Sequence, residues 1–222
     1  MDPNNKMAGK QAPSDRPETP AEAAPMTHRG WVYLIIMWVF INPLYRLFYR
    51  VRIEGRSNLP EGGALLASNH ESFLDIPLVS NAAGPRHVAF VARDTLARSR
   101  ILEFIMVHCG AVLLRRGTSD RRALRQMVGH LRAGDYVGVF PEGTRSPDGK
   151  LGDFKGGVLL AAKTARVPVI PIGIDGSFEA WPRQRKLPGL GRLVARIGTP
   201  IDATQPGALE HLRSAVEKLS QP

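Results

Sequence analysis

Between residues 63 and 197, short apolar runs alternate with stretches of helical periodicity, and that alternation narrows the fold more than any other feature of the chain. Runs at 63–68, 87–92, 111–114, 136–140, 167–174 and 193–197 have the length and apolar content of buried strands. Segments at 99–108, 119–132, 157–165 and 206–219 read as helices. In the second of these, Leu124, Met127, Val128 and Leu131 fall on one face. Strand-then-helix repetition predicts an α/β layered domain. A chain of 222 residues has room for one such domain and an appendage.

Two of these strands run directly into polar motifs. The first leads to Asn69-His70-Glu71-Ser72-Phe73-Leu74-Asp75. An imidazole with an ordinary pKa near 6.5 can accept a proton at neutral pH. A carboxylate on its other ring nitrogen fixes the tautomer and stabilises the imidazolium. Positions five apart lie about 140° apart around an α-helix, so His70 and Asp75 cannot share a helical face. They meet if His70 sits at the strand's exit and Asp75 lies in the following turn or first helical turn. Active sites of α/β folds collect at such strand ends.

The second motif is Phe140-Pro141-Glu142-Gly143-Thr144-Arg145-Ser146. Gly143 lets the backbone turn tightly, Arg145 offers a planar fork matched to phosphate oxygens, and Glu142 can accept hydrogen bonds from substrate hydroxyls. A third stretch, Gly110-Ala111-Val112-Leu113-Leu114-Arg115-Arg116, ends in two arginines able to clamp an anion. No Gly-x-Ser-x-Gly elbow is present, so a base at His70 is expected to activate a substrate hydroxyl rather than a protein nucleophile. The single cysteine, Cys109, is expected to be a buried, inert thiol. Six scattered histidines and one cysteine show no metal-ligand spacing.

Charge locates the partners. The formal net charge is +10, and residues 1–30 are neutral, so the whole excess falls on the remainder. A basic folded domain seeks an acidic partner. Aromatic residues are only 7% and do not interleave with the basic ones, which argues against a nucleic-acid stacking platform. Residues 1–28 read as a disordered leader. At 29–50, an uninterrupted run of eleven apolar residues, 31–41, is followed by Asn42, Pro43 and Arg46. As a helix that run is about 16 Å long, against roughly 30 Å of hydrocarbon. Its aromatic residues and flanking arginines favour a helix embedded in one leaflet, over a helix packed on the soluble domain or a true span. The catalytic domain is expected at 51–222.

Together these residues resemble the 1-acylglycerol-3-phosphate acyltransferases and related glycerolipid acyltransferases. Four blocks occur in the family's order: Asn69-His70 with Asp75; Gly110 to Arg116; Phe140 to Ser146; and Val167-Pro168-Val169-Ile170-Pro171-Ile172. Arg115 departs from the pattern, since many relatives have an acidic or polar residue there. The resemblance implies a mixed β-sheet flanked by helices. It implies acyl transfer from acyl-CoA or acyl carrier protein to the free hydroxyl of lysophosphatidic acid, with neither metal nor other cofactor. His70 and Asp75 are then the catalytic pair, and Arg116, Glu142, Gly143, Thr144 and Arg145 bind phosphate and glycerol. The enzyme is expected on the cytoplasmic face of an anionic membrane. Another lysolipid acceptor (an ornithine-type lipid, another lysophospholipid or a glycolipid) is the alternative, and a non-catalytic basic membrane-binding protein a more distant one.

Overall fold

The computed structural model of the protein describes residues 33–93, 106, 109–114 and 121–222. The expected leader at 1–28, most of the helix expected at 99–108, and Arg115 and Arg116 lie outside the described residues.

Seven strands form one sheet: β1 (Tyr49–Glu54), β2 (Ala64–Ser68), β3 (Val88–Arg93), β4 (Val112–Leu114), β5 (Tyr136–Val139), β6 (Val169–Asp175) and β7 (Gly191–Ile197). Their spatial order is β1-β7-β6-β2-β5-β3-β4. Five central and edge strands run parallel, and β7 turns antiparallel against β6 with β1 parallel beside it. The mixed sheet is thus as the resemblance implied.

Because side chains alternate along a strand, β2 feeds two cores. Leu65 and Ala67 face one side, against α3 (Arg121–Arg132), α4 (Leu160–Ala165) and α6 (Ala208–Ser220). Ala64 and Leu66 face the other, against α1 (Asn42–Phe48) and α2 (Asp75–Ala83). All five β2 residues are buried, which is why the strand reads as an unbroken apolar run. On α3 the buried stripe is Ala123, Met127, Val128 and Leu131, with Leu124 half-buried at its margin. A short helix, α5 (Ser177–Ala180), follows β6.

The apolar N-terminal segment is helical from residue 33 to Phe48, passing through a π-helical stretch at Ile36–Ile41. One face packs on the domain: Tyr33, Met37, Asn42 and Tyr45 are buried. The Tyr45 hydroxyl donates to the Leu74 carbonyl at 2.8 Å, and Asn81 donates from its side chain to Asn42. The other face leaves Ile35, Val39, Phe40, Leu44, Leu47 and Phe48 exposed. At about 24 Å it is shorter than a bilayer core, and among the described residues no helix is long and apolar enough to cross a membrane. The helix stops at Phe48, where β1 begins at Tyr49, two residues before the expected boundary at 50. From there Tyr49, Val51 and Ile53 alternate with the more exposed Arg50, Arg52 and Glu54, a two-residue period that only a strand can use.

Candidate active site

Parallel neighbours deliver the two motifs to one edge. β2 lies between β5 and β6, with Ala67 opposite Val139 and Ser68 opposite Ile172. The residues that follow each strand therefore emerge side by side. Asn69 secures this exit: its side-chain amide donates to the Ile174 carbonyl at 2.9 Å, and its side-chain oxygen accepts from the Ile174 N–H at 2.7 Å. The carboxamide continues the ladder to β6 after the β2 backbone has turned away.

His70 comes next, its side chain 14% exposed. Its Nδ1 lies 2.9 Å from Asp75 Oδ2, at the start of α2. Asp75 has no exposed surface, and the same Oδ2 accepts from the N–H groups of Glu71 and Ser72, each at 2.7 Å. Three donors on one oxygen hold the carboxylate rigidly. A carboxylate accepts only, so Nδ1 carries the proton of the neutral ring and Nε2 is the free base. The imidazole is stacked on Phe140, ring centroids 3.9 Å apart and nearly parallel, which fixes its plane. The expected pairing of His70 with Asp75 across a strand exit and a helix start is the geometry observed.

The second motif folds back on the first. Gly143 closes a turn at φ +70°, its N–H donating to the Phe140 carbonyl at 2.9 Å. A Cβ built at 143 would lie 2.5 Å from Lys155 Nζ, so that ammonium group rests against the turn. Ser146 N–H donates to the His70 carbonyl at 2.7 Å. Glu142 is buried and uses both oxygens on backbone groups: Oε1 accepts from His70 N–H at 2.8 Å and Oε2 from Gly152 N–H at 3.0 Å. Burial pushes its carboxyl up while these two bonds pull it down. Sequence reasoning pointed Glu142 at a substrate hydroxyl; in the structure its first task is to brace the His70 backbone.

Arg145 lies on the same edge. Its guanidinium stacks over the Phe73 ring at 3.7 Å, and Phe73 in turn leans on Trp181. Among the described residues no carboxylate pairs with it, which leaves its fork available to an anion. Burial and the nearby charge of Arg183 both hold its pKa below the usual arginine value. Thr144 is exposed beside it. Arg116 lies outside the described residues.

Other participants were not singled out from sequence. The Ser72 hydroxyl donates to the Trp181 carbonyl at 2.8 Å, and the Gln184 side chain to the Pro147 carbonyl at 2.7 Å, so the segment after α5 is tied against both motifs. That brings Arg183 within electrostatic reach of Arg145. Glu71 is half-buried; burial, with the charge of Asp75 adding, pushes its carboxyl up to about 7 despite the hydrogen bond from Asn69. Cys109 is half-buried rather than buried, and desolvation raises its thiol pKa, which keeps it a poor nucleophile.

Residues 50–175 match the family described as Acyltransferase. A chloroplastic 1-acyl-sn-glycerol-3-phosphate acyltransferase of Arabidopsis thaliana is 36% identical over 154 residues, covering 68% of this chain and 42% of that one. A lyso-ornithine lipid O-acyltransferase of Pseudomonas aeruginosa is 28% identical over 180 residues, covering 80% of this chain and 66% of that one. The chain spans about half the length of the first curated relatives it matches. The crystal structure of the 1-acyl-sn-glycerophosphate acyltransferase PlsC of Thermotoga maritima superposes with a TM-score of 0.72 at 33% identity, covering 86% of this chain and 78% of that one. With a family match over more than half its length, and a structural neighbour sharing both fold and sequence, the chain belongs to the Acyltransferase family.

Proposed function

We propose that the protein transfers a fatty acyl group from an acyl thioester, acyl-CoA or acyl carrier protein, to the free hydroxyl of 1-acyl-glycerol-3-phosphate, forming phosphatidic acid. One observation carries this reading: a proton-accepting imidazole, aligned by a carboxylate with no exposed surface, stands on the same sheet edge as a guanidinium that no described carboxylate neutralises. His70 Nε2 takes the proton of the acceptor hydroxyl as its oxygen attacks the thioester carbonyl. The C–S bond then breaks, and the departing thiolate takes that proton from the imidazolium. Asp75 stabilises the positive ring between the two steps. Arg145 holds the acceptor phosphate, with Arg116, Lys155 and Arg183 adding to the field. Gly143 and Thr144 line the glycerol end, and Glu142 keeps His70 in place.

Names among the relatives support the acceptor class, and a lyso-ornithine lipid enzyme among them keeps a second acceptor open. Arg145 favours the phosphate-bearing one, because a phosphate monoester offers the cation up to two negative charges where an ornithine headgroup offers a single carboxylate beside its own ammonium.

The acceptor resides in a membrane, and the molecule presents a surface suited to one. Leu47 and Phe48 end the N-terminal helix, and Leu187 and Leu190 precede β7; Leu47, Leu187 and Leu190 are each at least 75% exposed. Tyr49 pairs with Gly191 at the starts of β1 and β7. Since β7 opposes β6, those starts lie at the edge where His70 emerges. Arg46, Arg50 and Arg192 line the groove between them, where each can add roughly 1 kcal/mol toward anionic headgroups. The reading places the protein on the cytoplasmic face of the membrane, apolar rim inserted and His70 at the interface.

Thiol release from acyl-CoA in the presence of lysophosphatidate tests the reaction. His70→Ala should lower turnover by at least about two powers of ten while leaving the fold intact. Transfer at near-parental rate by a folded His70→Ala protein overturns the mechanism.

A further inference from the structure

A second His-x4-Asp pair stands at the opposite edge of the sheet. His130, in the last turn of α3, has Nδ1 2.9 Å from Oδ2 of Asp135, just before β5. Spacing and distance equal those of His70 and Asp75, so only the surroundings set the two sites apart. Beside Asp135 is a further imidazole. Parallel pairing of Val88 with Tyr136 brings the preceding residues together, and His87 Nδ1 lies 3.8 Å from the same Asp135 Oδ2.

The bonding of His87 decides what its ring can do. The residue is 6% exposed, and Nε2 lies 2.9 Å from the Cys109 carbonyl oxygen. A carbonyl only accepts, so Nε2 carries the proton. In the neutral ring Nδ1 is then a bare lone pair. It is buried without a hydrogen-bond partner among the described residues, and the group it faces is an anion. Two acceptors turned on each other in a largely buried pocket are unfavourable unless a cation or a proton sits between them. The ring cannot swing away: a Cβ at Gly110 would fall 2.8 Å from its Cε1, and the Tyr33 ring packs on it edge-on at 5.0 Å.

Nδ1 of His87, Nδ1 of His130 and Oδ2 of Asp135 all lie within 4.8 Å of one another. Ligands held about 2 Å from a tetrahedral zinc ion stand about 3.3 Å apart, and the separations of 2.9 and 3.8 Å straddle that value. An imidazole that gives its other N–H to a backbone carbonyl is also the arrangement that orients metal-bound histidines.

We propose that His87, His130 and Asp135 form a binding site for a divalent transition-metal ion, zinc best among them, which ties the entries of β3 and β5 to the end of α3. Two imidazoles and a carboxylate suit zinc rather than magnesium or calcium. His130, the most exposed of the three, opens the way for the ion and for a water completing its shell. The site lies away from His70 and serves the fold, not the acyl transfer. Sequence spacing hides it because His87 joins the local His130–Asp135 pair only through the parallel β3–β5 pairing.

The test uses untagged full-length protein, stripped with chelator and titrated with Co²⁺ or Zn²⁺ alone at pH 7.5. One equivalent should bind, giving the visible absorption of four-coordinate cobalt and a higher thermal midpoint. His130→Gln, its fold checked by circular dichroism, should lose both, as should Asp135→Asn; His70→Gln should keep both. Failure of the parental protein to take up an equivalent, which is the result if a second proton on His87 bridges to Asp135 instead, overturns the proposal. So does uptake that survives in folded His130→Gln.

Discussion

Neutralising Glu71 isolates one electrostatic cost of assembling the His70 site. In the folded protein its carboxyl is raised from about 4.5 to about 7, chiefly because burial disfavours the charged form and secondly because Asp75 lies nearby. A carboxyl whose folded pKa is raised stabilises the fold most at low pH. Below about 4.5 both folded and unfolded chains hold the proton. Between about 4.5 and 7 the unfolded chain gives it up first, so stability falls as pH rises, and above about 7 the loss is complete. At about 1.4 kcal/mol per tenfold change in proton affinity, the loss comes to at most about 3.5 kcal/mol, and less to the extent that water reaches the half-buried group. Glu71→Gln keeps an oxygen to accept from Asn69 and cannot ionise. Urea unfolding followed by tryptophan fluorescence, at steps from pH 4.5 to 8, should show the variant nearly level with its parent at pH 4.5 and increasingly more stable up to about pH 7. Parallel profiles, or a difference that grows toward low pH, would refute the assignment of a raised carboxyl.

Other perturbations address the remaining contacts. Asp75→Asn should cut turnover by roughly two to four powers of ten through loss of the charge that aligns His70, with KM for lysophosphatidate little changed; a folded variant with near-parental turnover contradicts the pairing. Arg145→Ala should raise KM for lysophosphatidate by roughly 10- to 100-fold, the loss expected for a charge-assisted hydrogen bond of about 1.5–3 kcal/mol, and spare an uncharged monoacylglycerol acceptor. An equal loss on both acceptors removes the phosphate role. Leu47→Glu combined with Leu190→Glu should sharply weaken flotation with anionic vesicles, since each inserted leucine is worth about 1.5–3 kcal/mol, while thiol release with a dispersed short-chain acceptor persists. Unchanged flotation would move the membrane contact elsewhere.

Much of the fold was written in local pattern. The strands at β2, β3, β4, β5, β6 and β7 lie within about two residues of the apolar runs, because a strand covered on both faces must be apolar throughout. Strand β1 escaped notice for the converse reason. At a sheet edge only every second residue is buried, so Arg50, Arg52 and Glu54 dilute its signal, and it follows an apolar helix with no turn residue between. The four-residue α5 is too short to show a period. At the site, His70 and Asp75 were legible as a pair because they lie only five positions apart, on either side of a strand exit and a helix start. The role of Glu142 was not, because the N–H groups it braces belong to residues 70 and 152, distant along the chain.

By itself the sequence determined the layered α/β class, the strand ends that bear the two polar motifs, and the imidazole–carboxylate pair, all properties set by residues close together in the chain. Only the tertiary structure decided the rest. The order β6-β2-β5 placed the Arg145 turn beside His70, with Trp181 against Phe73 and Arg183 within electrostatic reach of Arg145. The parallel pairing of β3 with β5 set His87 against Asp135 at the far edge. The physical reason is that a hydrogen-bonded ladder fixes which strand ends become neighbours, and no local pattern of side chains encodes which strand will pair with which.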